Sequence, residues 1–133
     1  MASDIFYPSV EQITEYNLLI LEILKVKKSD TAKVLSYQKL NEVIKECTEK
    51  EGDIYDKAVI LLSGLVRKHP FASGNRRTAF IVTKDFLWKN HIKLSIKDDP
   101  QNARIMLGIR EGYYTIEEIK EWIRYGKIKP FNR

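Results

Sequence analysis

Apolar positions along the chain recur mostly at helical spacing, and no run alternates well enough to make a sheet. Ser9 followed by Gln12 forms a capping box. It predicts a helix to about Lys27, with Ile13, Leu19/Ile20 and Ile23/Leu24 on its apolar face. A polar loop is expected at 28–31. A second helix should begin near Ser36, carry Leu40, Val43, Ile44 and Cys47, and stop at Gly52. The third, from Asp53 to about Lys68, contains AVILLSGLV at 58–66. A segment apolar nearly all round belongs at the centre of a fold. Pro70 ends it, because the residue before a proline is driven out of the α region.

The fourth helix is expected from near Gly74 to about Asn90, burying Ala79, Phe80, Val82, Phe86 and Leu87. HIKLSIK at 91–97 reads as a short extended piece, with His91 as a C-terminal cap. A fifth helix lies near Asp99–Arg110 and is ended by Gly112. Thr115 and Glu118 form another capping box for the last helix, through Arg124, and KIKPFNR is a basic tail. Trp88 and Trp122 read as core or rim packing. Without an internal repeat, low-complexity tract or linker, residues 1–133 are expected to form a single all-α domain of about six helices.

Composition adds limits. A chain of 133 residues suits one real core. With 44% hydrophobic and 31% charged residues, the balance is globular and not disordered. No apolar stretch nears the ~20 residues of a membrane span, and the start lacks a secretory pattern. A lone cysteine, Cys47, fits a reducing compartment, so a cytoplasmic protein is expected. The net charge of +5 and a pI near 9.2 suit an anionic partner, whether nucleic acid, nucleotide or acidic protein. Most lysines are scattered singly, as on solvated helix faces. Only Arg67, Lys68, Arg76 and Arg77 crowd one stretch.

That stretch contains HPFASGNRRTAF at 69–80, a short turn between two very apolar helices. Phe71 should plug back into the core. Gly74 permits a tight turn, and Asn75 tolerates unusual backbone angles and bonds locally. A helix start presents unpaired N–H donors and partial positive charge, a ready anion site. Arg76 and Arg77 in its first turn oppose the helix dipole, at a cost of a few tenths of a kcal/mol unless an anion sits there. Arginine suits bidentate contact with phosphate. His69 stands at the other lip of the turn, and histidine is the usual general base near neutral pH. Spacing alone leaves two readings open: an anion site with a base beside it, or a histidine capping carbonyls and arginines facing solvent.

The stretch resembles the signature of the Fic/Doc (Fido) family, H-x-F-x-[D/E]-[G/A]-N-[G/K]-R, which His69, Phe71, Gly74, Asn75 and Arg77 match. TAF at 78–80 is similar to the death-on-curing (Doc) toxin branch, as are PSVEQI near the start and the GYYTIEEIKEWI ending. The resemblance implies that His69 takes the proton from a target hydroxyl. It implies that Ser73, Gly74 and Asn75 cradle a nucleotide phosphate, and that Arg77 clamps a second. Arg76 stands where the Doc branch has lysine. Two departures matter. Ser73 replaces the acid that holds magnesium on the nucleotide, a neutral and weaker ligand, so the metal ligand is left unassigned. Phe80 replaces the second phosphate arginine of the adenylylating members. CTEKEG at 47–52 has Cys47 where the family's inhibitory helix requires Ser or Thr, so any inhibitor would come from a second protein.

The resemblance thus implies a Doc-like toxin enzyme that moves a phosphoryl group from a nucleoside triphosphate, ATP, with magnesium, to a protein hydroxyl. A translation elongation factor as target and an antitoxin protein as partner are inherited expectations. Neither membrane nor nucleic acid is expected to bind. The alternatives are adenylylation, and a nucleotide-binding pseudoenzyme that has lost the acidic ligand. A small basic nucleic-acid-binding protein ranks last, because no recognition-helix pattern emerges.

Overall fold

Local capping chemistry decides where most of the helices start. The computed structural model describes residues 4–23 and 32–132. In them lie α1 (Val10–Ile23), α2 (Tyr37–Glu49), α3 (Ile54–Lys68), α4 (Asn75–Lys89), α5 (Asn102–Arg110) and α6 (Ile116–Tyr125). Ser9 N–H donates to Gln12 Oε1 at 2.9 Å, and Gln12 N–H to Ser9 Oγ at 3.2 Å. Thr115 and Glu118 make the same reciprocal pair ahead of α6. Asp53 with Asp56 does so ahead of α3, and Ser36 accepts from Lys39 N–H ahead of α2. The described residues hold no strand, only an isolated antiparallel bridge between Val34 and Phe71. The all-α class is as expected. The extension of the first helix to Lys27 and the loop at 28–31 lie outside the described residues.

α3 is the central element, packed against α2, α4, α5 and α6. Its Ala58, Val59, Leu61, Leu62, Leu65 and Val66 are all buried. Each large side chain among them contributes about 1.5–3 kcal/mol by leaving water. Gly64 admits α2, since a methyl there would lie 3.1 Å from the Val43 methyls. The C-cap of α4 is Asn90 and not His91, which follows it in the left-handed region at φ 67° and donates its N–H to Trp88 O at 3.0 Å. Along 91–97, Ile92, Leu94 and Ile96 pack partly on the core while the residues between them face solvent.

Three further expectations are corrected, and the tail gains an anchor. The buried stripe of α1 is Ile13, Asn17, Ile20 and Leu21, whereas Leu19 is 50% and Ile23 69% exposed. Trp122 is core, but Trp88 is 71% exposed and packs nowhere in the interior. Phe80 is only half-buried, its ring tilted against Trp122 at 6.2 Å. The basic tail is anchored: Phe131 is buried, its carbonyl accepts from Arg104 Nη2 at 3.1 Å, and Tyr114 Oη donates to Lys129 O at 2.9 Å.

The end of α2 is closed by a side chain of α3 that follows it by only 7 to 10 residues. Lys57, buried on α3, donates its Nζ to Cys47 O at 3.4 Å, Thr48 O at 3.0 Å and Lys50 O at 2.8 Å. An ammonium placed on the last carbonyls of a helix satisfies them and complements the dipole. α2 therefore ends at Glu49, before the predicted stop at Gly52. Cys47 sits beneath this cap, and burial pushes its thiol up to about 11.

Replacing the ammonium by an isosteric thioether, Lys57→Met, is expected to lower stability by about 1–3 kcal/mol in urea unfolding, the cost of unsatisfied buried carbonyls. An unchanged midpoint would mean that water closes the helix instead. Cys47 should resist an aromatic disulfide reagent at pH 8 in the native protein and react fully in denaturant, because the thiolate is the reacting form. Rapid native labelling would contradict the burial.

Candidate functional site

The reversal between α3 and α4 is built by backbone geometry before any ligand is considered. α3 ends on His69, whose φ of 52° and ψ of 60° lie in the left-handed region. Histidine is among the residues that tolerate this region, though such positions cost about 1–3 kcal/mol and persist only where the surroundings enforce them. α4 begins after Gly74, at φ 77°, with no side chain capping its first amides. A methyl on Gly74 would meet Asn17 Nδ2 and Leu21 Cδ2, both at 3.2 Å, so glycine is needed for space as well as for angle.

Three sets of hydrogen bonds hold the turn. Segment 33–36 runs beside it: Leu35 N–H and Ser36 N–H donate to Pro70 O at 2.8 and 3.2 Å, and Ala72 N–H donates to Lys33 O at 2.9 Å. From within, Asn75 serves both backbone groups of Phe71. Its Oδ1 accepts from Phe71 N–H at 2.9 Å, and its Nδ2 donates to Phe71 O at 2.8 Å. Behind it, Asn17 of α1, itself buried, donates through Nδ2 to Ser73 O at 2.9 Å and contacts Thr78 Oγ1 at 3.1 Å. Phe71 is buried as expected and anchors the whole loop in the core.

These contacts leave a defined set of groups outside. His69, Arg76 and Arg77 are exposed, while Ser73 and Gly74 are half-buried at the rim and Asn75 is buried. The ring of His69 is tied to the turn, its Nδ1 lying 3.2 Å from Asn75 Nδ2. Of the four crowded cations, Lys68 is committed elsewhere, to Glu42 at 3.3 Å and Glu46 at 3.4 Å on α2. Arg76 and Arg77 pair with no carboxylate among the described residues. The arrangement thus sets an exposed imidazole against Asn75 at the start of α4 and two exposed arginines, without a carboxylate partner among the described residues, in the first turn of that helix, groups that can bind phosphate and move a proton.

A protein-held metal fits this edge poorly. Magnesium is normally held by carboxylates together with substrate phosphates. The turn offers a serine and backbone oxygens, and no group of three His, Cys, Asp or Glu side chains that could hold a metal occurs among the described residues.

The six positions singled out in the sequence, His69, Ser73, Gly74, Asn75, Arg76 and Arg77, do come together at this turn. Asn17 was missed. Its only signal was an asparagine on the buried stripe of an amphipathic helix, where a polar side chain needs a partner. Asn17→Ala removes the donor from Ser73 O and Thr78 Oγ1. It should cost about 1–3 kcal/mol in urea unfolding, and an unaltered midpoint would show that the turn does not lean on α1.

Among known protein families, the model of the Fic/DOC family matches residues 22–87. That span covers 66 of the 133 residues, counting from 22 to 87, and includes α2, α3, the turn and most of α4. No curated protein matches the chain.

Proposed function

We propose that the chain is a Fic/Doc-type transferase that moves a phosphoryl group from a nucleoside triphosphate to a protein hydroxyl at the turn between α3 and α4. The observation that carries this reading is exposed His69 in contact with Asn75 at the start of α4, whose first turn carries exposed Arg76 and Arg77 without a carboxylate partner among the described residues. The family match over 22–87 supports it, because the matched span contains every one of these residues.

In this reading the open amides after Gly74 and the Asn75 region receive one phosphate, and Arg77 clamps another. Arginines in the first turn of a helix are unfavourable until an anion offsets them, so the charge arrangement favours the nucleotide-bound state. His69 receives the proton of the acceptor hydroxyl. In phosphoryl transfer the bond to the leaving group is largely broken early, and positioning with charge stabilisation supplies most of the acceleration. Phe80 favours terminal phosphate transfer over adenylylation. It packs on Trp122 and provides no cation for a further phosphate. Magnesium is treated as arriving with the nucleotide, since the residues at the turn do not fit a resident ion.

Incubating cell extract with α-labelled and γ-labelled ATP in parallel distinguishes the reactions. Protein label from the γ position alone is expected. Label from the α position would establish nucleotidyl transfer instead, and no label from either would put a nucleotide-binding pseudoenzyme ahead. His69→Ala should keep its helical spectrum yet lose transfer by about 10²–10⁴-fold, the usual cost of a missing general base. Undiminished transfer by this variant would remove His69 from the mechanism. Arg77→Ala should weaken nucleotide binding by calorimetry while slightly raising the apo protein's melting temperature. Equal nucleotide affinity in the two proteins would refute the clamp.

A further inference from the structure

The contacts of Asn75 also decide where His69 carries its proton. A backbone N–H can only donate and a carbonyl can only accept. Phe71 N–H faces Oδ1 at 2.9 Å and Phe71 O faces Nδ2 at 2.8 Å, so the Asn75 amide has one permitted orientation. Turned over, it would set donor against donor and acceptor against acceptor in a buried place. Nδ2 has two hydrogens. One goes to Phe71 O, and the other faces His69 Nδ1 at 3.2 Å. Nδ1 must therefore offer a lone pair, and a neutral imidazole with a lone pair on Nδ1 carries its hydrogen on Nε2.

We propose that Asn75 is a positioning residue that holds neutral His69 in its Nε2–H tautomer, so that the resting enzyme presents a hydrogen-bond donor, not a base, to an arriving group. The left-handed backbone at residue 69, with φ 52°, roots the ring at the lip of the turn, and the contact of Nδ1 with Asn75 Nδ2 at 3.2 Å holds it there. An arriving phosphate oxygen is matched by Nε2–H. An arriving hydroxyl that must give up its proton to Nε2 is not. For that step the ring must first lose its Nε2 proton to water and gain one at Nδ1, with no net change in protons. Nδ1–H would then confront the Asn75 amide hydrogen, and that contact must open. The site as folded is ready to bind phosphate, and its basic form becomes available only when the Asn75 contact is released.

This inference deepens the transferase reading by assigning the ring nitrogens, but its test reads the proton and not the reaction. Protein labelled with nitrogen-15 histidine is taken to the alkaline plateau of its ring signals, and long-range nitrogen–proton correlations are recorded. His91→Gln separates the two histidines of the chain. An acceptor-type Nδ1 and a protonated Nε2 at His69 are expected. A protonated Nδ1, or an even mixture of tautomers, overturns the proposal whatever the labelling of extracts shows. Asn75→Asp, checked for native helicity, places a carboxylate oxygen opposite Nδ1 and should reverse the pattern to Nδ1–H. A folded variant with an unreversed pattern would remove Asn75 as the cause. If the variant does not fold, the parent spectrum decides alone.

Discussion

The two hydrogen bonds between the Asn75 side chain and the backbone of Phe71 are what the rest of the site depends on. α3 and α4 are joined by a reversal whose central residue is almost wholly buried. Buried backbone groups left unpaired cost about 1–3 kcal/mol each, so a tight interior turn needs partners that no helix supplies. Segment 33–36 pairs with Pro70 and Ala72 on one side. Asn75 serves Phe71 itself, acting as a stand-in for the missing neighbouring strand. With Phe71 pinned, the chain has little choice at either end. His69 is forced into a left-handed angle, and α4 must start immediately after Gly74. The exposed cations then fall where they do because the helix starts there.

Much of this was legible in the sequence, for reasons of range. Capping boxes at Ser9/Gln12 and Thr115/Glu118 are i,i+3 relations, so they can be read locally, and both form. α3 was placed at the centre because its apolar character on all faces leaves no other place for it. What escaped reading depends on tertiary neighbours. Spacing assigns the stripe of α1 to Ile13, Leu19/Ile20 and Ile23/Leu24, and it places Ile13 and Ile20 rightly but not Leu19 and Ile23, because hydrophobicity alone does not anticipate that Asn17 could be buried with partners waiting on Ser73 and Thr78. Lys57 looked like one more surface lysine, yet it closes another helix. Trp88 proves exposed and Phe131 buried, since a large aromatic near a helix end or in a tail carries no signal of what packs over it.

The site divided in the same way. That the candidate residues 69–77 lie together was readable from their spacing, because a short turn forces neighbours in sequence to be neighbours in space. Its internal wiring was not. That Asn75 reaches backwards to Phe71 and sideways to His69, and so bears on which ring nitrogen is free, follows only from the three contacts of one amide.

The remaining question is why an edge so positive carries no compensating acid among the described residues. Arg76 and Arg77 stand beside the positive end of α4, and Ser73 adds no charge. Because both guanidiniums are exposed, water moderates their repulsion: at 4 Å a pair of unit charges interacts by only about 1 kcal/mol in bulk solvent. The apo protein can therefore hold the arrangement at small cost. A bound polyphosphate changes the balance, since it excludes water from the same edge and strengthens every attraction there. A carboxylate at residue 73 would recruit a cation but also repel the phosphates directly. With serine in its place, attraction to phosphate rests on the helix start and the arginines themselves. On the proposed reading, the protein thus supplies the positive charge that a metal-holding acid would otherwise have to gather, and magnesium is left to travel with the nucleotide.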